Sequence, residues 1–139
     1  MTEISQTTFK FVNFFVRESH IRLSDGGDFK IDVNITPKGV VLKSLNQFHL
    51  ELAVNIKEAT DKFEISIVSV AIFEFDPKDD LEKYMSSLFT VNAPAIAFPY
   101  IRAYISNLTT QSGLFTVTLP TFNLSAMGEK LKANITVND

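Results

Sequence analysis

Few side chains in this sequence are suited to chemistry. His20 and His49 are the only imidazoles, and there is no cysteine. Without a thiol there is no disulfide framework, thiolate metal site or cysteine nucleophile. Both histidines fall at polar-parity positions of strand-like segments, where an isolated histidine is ordinarily a solvated side chain. Asp79 and Asp80 form an acidic pair, but they stand just before an amphipathic run. Carboxylates placed there complement the positive end of a helix dipole. One short acidic run also offers too few ligands for a hard cation. Gly26-Gly27 is an isolated glycine pair rather than a phosphate loop, and no serine sits in a nucleophile elbow. The expectation is no catalytic residue, no metal, no cofactor and no enzyme activity.

Composition narrows the class further. A chain of 139 residues that is 45% hydrophobic and 21% charged is long and apolar enough for one packed domain spanning 1–139. Thirteen Lys and Arg against sixteen Asp and Glu leave a net charge of −3, which excludes a basic nucleic-acid footprint. Apolar stretches break well short of the roughly 18 residues a membrane span needs. Met1–Gln6 has neither a basic nor an apolar leader region, so a cytoplasmic protein is expected.

The elements that must position any site show in the periodicity. Phe29, Ile31, Val33 and Ile35 alternate with polar residues, as do Phe48, Leu50, Leu52, Val54 and Ile56. Turn signals at 24–28, 37–39 and 58–61 leave only short connections, which join antiparallel neighbours. Phe9 to Val16 and Ile67 to Phe75 are apolar at both parities. The first places Phe9, Phe11 and Phe15 on one side and Val12, Phe14 and Val16 on the other. Strands of that kind are covered on both faces, which one small chain cannot manage alone. After Phe75 the period becomes helical. Asp76 is the expected N-cap, Pro77 the first helical position, and Leu81, Tyr84, Met85, Leu88 and Phe89 one apolar face. Asn92 to Thr110 reads as a longer helix, apolar nearly all round, with Pro99 as a kink or first turn. Leu114 to Leu119 suggests a short strand, and Leu124, Met127, Leu131 and Ile135 a terminal helix. The fold class is therefore α+β, a four-stranded antiparallel sheet followed by helices on one face.

The unusual feature is the phenylalanine load. Nine of the thirteen Phe lie within the first 75 residues. That much aromatic surface is accounted for by core and subunit interface, or by a groove for extended polypeptide. A pocket closed around an apolar small molecule or lipid is the alternative from another class. It requires a cavity of about 300 Å³ or more with convergent polar groups.

Asn92-Ala93-Pro94-Ala95-Ile96-Ala97-Phe98-Pro99-Tyr100-Ile101-Arg102 resembles the stretch that opens the long helix of the SecB protein-export chaperone family. Ser112-Gly113-Leu114-Phe115 stands at the matching helix end. Phe9-Lys10-Phe11 through Ile21, Phe29-Lys30-Ile31-Asp32-Val33-Asn34 and Asn123-Leu124-Ser125-Ala126-Met127 also track the family pattern. The resemblance implies a homotetramer, a dimer of dimers, that holds unfolded or export-competent polypeptides without nucleotide and passes them to the SecA motor. It places client contact at Phe29, Ile31, Val33, Leu81, Tyr84, Met85 and Leu88. The both-face-apolar strand and the apolar helix put Phe11, Phe14, Phe15, Ile101, Ile105 and Leu108 near subunit interfaces. Of the family's acidic motor-binding surface only Glu18 is retained, with Arg22 and Ser66 at the other matching positions, so attraction to SecA is expected to be weak. A related SecB-like chaperone guards an antitoxin, and such a client is the alternative within the family.

Overall fold

The strands run β1 (Phe9–Leu23), β2 (Ile31–Leu42), β3 (Gln47–Glu58) and β4 (Phe63–Phe75), and a last one, β5 (Ile135–Asn138), closes the chain. Between β4 and β5 lie a short helix α1 (Leu81–Lys83), a π-helical stretch (Tyr84–Asn92), α2 (Ala93–Gln111) and α3 (Leu124–Lys132). The structure is a computed structural model and describes residues 9–24, 30–78, 80–120 and 124–139. Phe29, Asp79, Asn123 and the 25–28 turn lie outside the described residues.

The sheet order is β1-β4-β3-β2-β5. The pairs β1–β4, β4–β3 and β3–β2 are antiparallel. β1 and β2 are not neighbours, although a short turn between them was expected to pair them; β1 pairs with β4 instead. The turn expected at 37–39 is not one either: Pro37-Lys38-Gly39 pairs with β3 inside β2, and the chain turns at 43–46. The expected four-stranded antiparallel sheet is nonetheless incomplete: β5 joins β2 in parallel, making a five-stranded mixed sheet. Ile135 had fitted the apolar period of the terminal helix. Instead α3 ends at Lys132, and the β-branched run Ile135-Thr136-Val137 takes the extended form such residues favour.

Two bulges in β1 overturn its simple alternation. Opposite β4, Phe11 faces Phe73 but Asn13 faces Ile72, and Val16 faces Ser69 but Glu18 faces Val68. Val12 and Arg17 are thus extra residues, and each shifts the side-chain parity by one. Phe9, Phe11, Phe14 and Val16 all pack toward the core, whereas Phe15 turns to the opposite face. Phe15 is therefore not the companion of Phe9 and Phe11 that period two suggested.

The helical run covers the core side of the sheet. It begins at Asp80 rather than Asp76, since the Asp80 carboxylate accepts the Glu82 N–H at 3.1 Å. The Asp76 carboxylate caps a local turn by accepting the Lys78 N–H at 2.9 Å. One buried row then reads Tyr84, Phe89, Ala93, Ala97, Ile101, Ile105 and Thr109, with Thr90 and Pro94 buried beside it. Every step is four residues except the first, which is five. That five-residue step falls in the π-helical stretch, whose i→i+5 hydrogen bonds widen the turn and bring Tyr84 and Phe89 onto one face. The other side of the helix is exposed, and mixes Ala95, Pro99 and Ala103 with Arg102 and Asn107. Pro99 lies inside α2 on that exposed side.

Gly113, at φ 81°, ends α2. The segment expected as a strand after it is extended but joins no sheet. Buried Thr109 accepts the Val117 N–H at 2.9 Å, and the Ser106 hydroxyl donates to the Val117 carbonyl at 3.2 Å. Side chains of α2 hold this segment in place of a neighbouring strand. α3 returns against the π-helical stretch so closely that a Cβ at Gly128 would lie 2.7 Å from the Thr90 carbonyl oxygen. Backbone cannot yield as a side-chain tip can. Gly128→Ala should therefore destabilise the protein by about 1–3 kcal/mol, the usual cost of overpacking. A urea midpoint equal to that of the wild type would show that α3 is not seated this way.

Candidate functional site

β2 is covered by β3 along its whole length on one side, but by β5 only along Gly39–Leu42 on the other. Among the described residues, Ile31 to Lys38 has no neighbouring strand on that second side. The Gly39 N–H points outward and donates to the Asn134 carbonyl at 3.1 Å. Alternation along the strand then turns the N–H and C=O groups of Ile31, Val33 and Ile35 outward too. Pro37 shares this direction but has no N–H to offer. The side chains of Ile31 and Val33 are half-buried and that of Ile35 is buried, all toward the helix layer. Phe115, 45% exposed, stands at the same end of the sheet, its ring 6.2 Å from that of Phe63. Unpaired backbone beside an apolar floor is what an extended chain needs in order to add as a strand.

The helical residues expected in the same groove lie elsewhere. Leu81 lines a cleft of about 200 Å³ with Lys43, Asn46, Phe75 and Pro77, beside the β2–β3 turn. Met85 and Leu88 are half-buried on the helical segment that follows. Tyr84 is fully buried, its ring 5.3 Å from Phe75 and 5.5 Å from Phe89, and its hydroxyl accepts the Asp76 N–H at 3.1 Å. Register explains the separation: Ile31 lies opposite Glu58 at one end of β3 and Leu42 opposite Gln47 at the other. From Val33 to Lys43 is roughly 33 Å at the rise of a strand. The structure does not bring Ile31 and Val33 together with Leu81, Tyr84, Met85 and Leu88. It offers two apolar regions at opposite ends of β2, with β5 between them.

The candidate interface residues also divide. Ile101 and Ile105 are fully buried beneath α2 within the chain itself, so they have no surface left for a partner. Leu108 is half-buried. Phe11 and Phe14 are half-buried under Tyr100, at ring distances of 5.1 and 5.4 Å. Phe15 lies on the far face of the sheet. Sequence reasoning missed Tyr100 and Tyr104 as the residues that fasten α2 to β1; the Tyr104 hydroxyl donates to Ser19 at 2.9 Å. Their spacing of four in a helix was the available signal.

The uncovered face of the sheet carries mixed charge. Glu18 is exposed there, but Arg17 pairs with Glu51 at 3.2 Å, and Arg22 with Asp61 at 2.7 Å and more loosely with Glu64 at 3.8 Å. Ser66 accepts a hydrogen bond from the Asn55 amide at 3.0 Å. The Arg17 guanidinium also lies 5.9 Å from the Phe15 ring centre. His20 is exposed, while His49 is half-buried beside Gln47 and faces a cleft of about 260 Å³ with Arg17, Lys38 and Val70. Among the described residues no helix is long and apolar enough to cross a membrane.

Comparison with known proteins gives the family and the fold. The model of the family described as SecB, preprotein translocase subunit SecB, matches residues 8–134. The chain belongs to the SecB family. A protein-export protein SecB of Anaplasma phagocytophilum (strain HZ) is 25% identical over 114 residues, 74% of this chain and 72% of its own length. One from Orientia tsutsugamushi (strain Boryong) is 35% identical over 89 residues, 62% of this chain, which span about half (52%) of that protein. The fold is that of the Mycobacterium tuberculosis Rv1957 SecB-like chaperone, solved with a ChAD peptide from the Rv1956 HigA1 antitoxin. That match has a TM-score of 0.69 at 14% identity and covers 83% of this chain and 88% of the other.

Within this SecB-family sheet, partial burial and, to a smaller degree, the Arg17 charge push the His49 pKa below its ordinary 6.5. The folded protein thus binds a proton at this site less readily than the unfolded chain. Stability tied to neutral His49 is present above about pH 6.5 and falls as pH drops below it. The urea midpoint should fall between pH 7.5 and 5.5 by more in the wild type than in His49→Gln. Equal falls in the two proteins would remove His49 as a source of acid sensitivity.

Proposed function

We propose that this protein is an ATP-independent holdase of protein export, binding unfolded polypeptide along the β2 side of its sheet. The observation that carries the reading is the open β2 edge, where outward backbone groups of Ile31, Val33 and Ile35 adjoin a half-buried apolar floor. Main-chain hydrogen bonds recognise any extended sequence, and apolar side chains at alternate positions add affinity without specificity. Each client Leu or Phe buried there contributes about 1.5–3 kcal/mol, so several weak contacts suffice. Leu81, Met85 and Leu88 extend the contact at the other end of β2, and Met suits a site that accepts varied partners. Tyr84 supports that end from the core. Membership of the SecB family favours this reading over enzyme activity.

For assembly, we infer a homotetramer built from dimers. β1 is the end strand of the sheet, and 15 residues long. A long open edge pairs readily with another chain, and a second copy is the simplest occupant. Phe11 and Phe14 lie beside that edge, with Val12 and Phe15 exposed on the opposite face. The open stripe of α2, including Ala95, Pro99 and Ala103, offers the second contact. A monomer at low micromolar concentration in analytical ultracentrifugation would refute the assembly.

For the motor, Glu18 follows Arg17 in β1 and faces Val68 across the ladder to β4, with the charge of Arg22 further along the strand. Weak SecA binding follows, with a small salt dependence. This favours a second reading of the client, an antitoxin rather than an exported precursor, within the same holding mechanism. Titration calorimetry separates the two: tight, strongly salt-dependent SecA binding supports export, and none at physiological salt supports the antitoxin client.

Replacing Val33 and Phe115 by Ser should weaken capture of a permanently unfolded client at least tenfold, as the partial loss of two apolar contacts, while the assembly stays intact. Unchanged capture by a folded double variant would move the site away from β2.

A further inference from the structure

β5 is a poorly secured strand. It pairs with β2 over four residues, Gly39 to Leu42, and a parallel ladder is the weaker kind per residue. Of its side chains only Ile135 is half-buried; Thr136, Val137 and Asn138 are exposed. Ile135 sits against Gly39, where a Cβ would lie 3.1 Å from its Cγ1 and 2.7 Å from the Phe48 ring. Two residues, Ala133 and Asn134, join β5 to α3, so it can leave β2 without carrying α3 with it. A cleft of about 360 Å³ already separates Thr36, Pro37 and Lys38 from Ala133–Thr136, where the two strands diverge. The residues matching the SecB family end at 134, immediately before β5.

The position of β5 gives this weakness a consequence. It covers the stretch of β2 between the open Ile31–Lys38 edge and the Leu81 cleft beside the β2–β3 turn. While β5 is docked, an extended chain on β2 has about eight residues of edge, interrupted at Pro37. With β5 released, the whole 12-residue strand becomes one continuous track linking both apolar regions. That β5 is seated there at all shows that this edge accepts an added strand.

We propose that β5 is an exchangeable strand, which occupies the Gly39–Leu42 edge when no client is bound and gives way to an extended polypeptide segment. The inference rests on the holdase reading above. Docked β5 lowers the apparent client affinity by the fraction of molecules in which the edge is closed, so intrinsic affinity is partly hidden until exchange.

Val40 and Thr136 are register partners with accessible side chains, and the chain has no cysteine of its own. The test is a Val40→Cys/Thr136→Cys variant, with a protein ending at Asn134 beside it. The probe is reduced, carboxymethylated α-lactalbumin, a permanently unfolded chain, followed by fluorescence anisotropy. Oxidised variant, with β5 locked, should bind about tenfold more weakly than the same protein reduced, and the shortened protein at least as tightly as wild type. Equal binding by the oxidised and reduced forms, with wild-type capture intact, overturns the exchange and leaves the holdase reading standing. Absence of binding in every form, wild type included, overturns both. Circular dichroism of the shortened protein checks that it is folded, and the reduced and oxidised pair supplies the answer if it is not.

Discussion

A single sheet must keep one face dry, and in this protein aromatic stacking does it. Phe89 lies on Phe48 with ring centres 4.1 Å apart and planes 6° from parallel. Phe9 lies on Phe73 at 4.8 Å and the same angle, and Tyr84 and Phe75 close the group around Phe89. Each buried ring contributes hydrophobic area plus a pairwise preference of about 0.5–1.5 kcal/mol. Four of these six rings come from strands and two, Tyr84 and Phe89, from the π-helical stretch, so the stack is what seats the helix on the sheet. The π-helical widening follows. Tyr84 and Phe89 must both reach the platform, and a regular α-helix would set residues five apart on different faces.

Covering one face this way leaves three surfaces to be accounted for. The far face carries Phe15 under Arg17 and a balance of charges, which keeps it soluble but gives it no strong sign. The β1 edge is long and apolar-flanked, suited to a stable partner. The β2 edge is different in kind. Pro37 interrupts its row of donors, and a short exposed strand occupies only its last third. The two edges of the same sheet therefore differ in kind, one long and flanked by apolar side chains, the other interrupted by proline and partly covered.

Much of this was legible in the residues. The four antiparallel strands, the 58–61 turn, the change to helical period after Phe75 and the Gly113 stop follow from period and turn chemistry, but Pro37-Lys38-Gly39, which reads as a turn, lies inside β2 because β3 pairs with it throughout. The SecB-like stretch from Asn92 to Arg102 pointed to the family that the full comparison established. The candidate site was less legible. Ile31 and Val33 belong to an open edge, but nothing local says that Leu81 and Met85 lie at the far end of the same strand. That distance is set by register between β2 and β3, a relation between segments rather than a property of either one.

What the sequence determined by itself is the set of elements, because backbone preference and hydrophobic period act over a few residues. Tertiary structure decided the rest. The bulge at Val12 exchanged the faces of Phe14 and Phe15, since pairing with β4 fixes parity only after the extra residue is absorbed. Packing took Ile101, Ile105 and Tyr84 out of reach of any partner. Competition for an unpaired edge drew Ile135 out of the expected helix and into the sheet, because the Asn134 carbonyl accepts the Gly39 N–H and the Ile135 side chain packs against the core there, contacts a longer α3 would not have supplied.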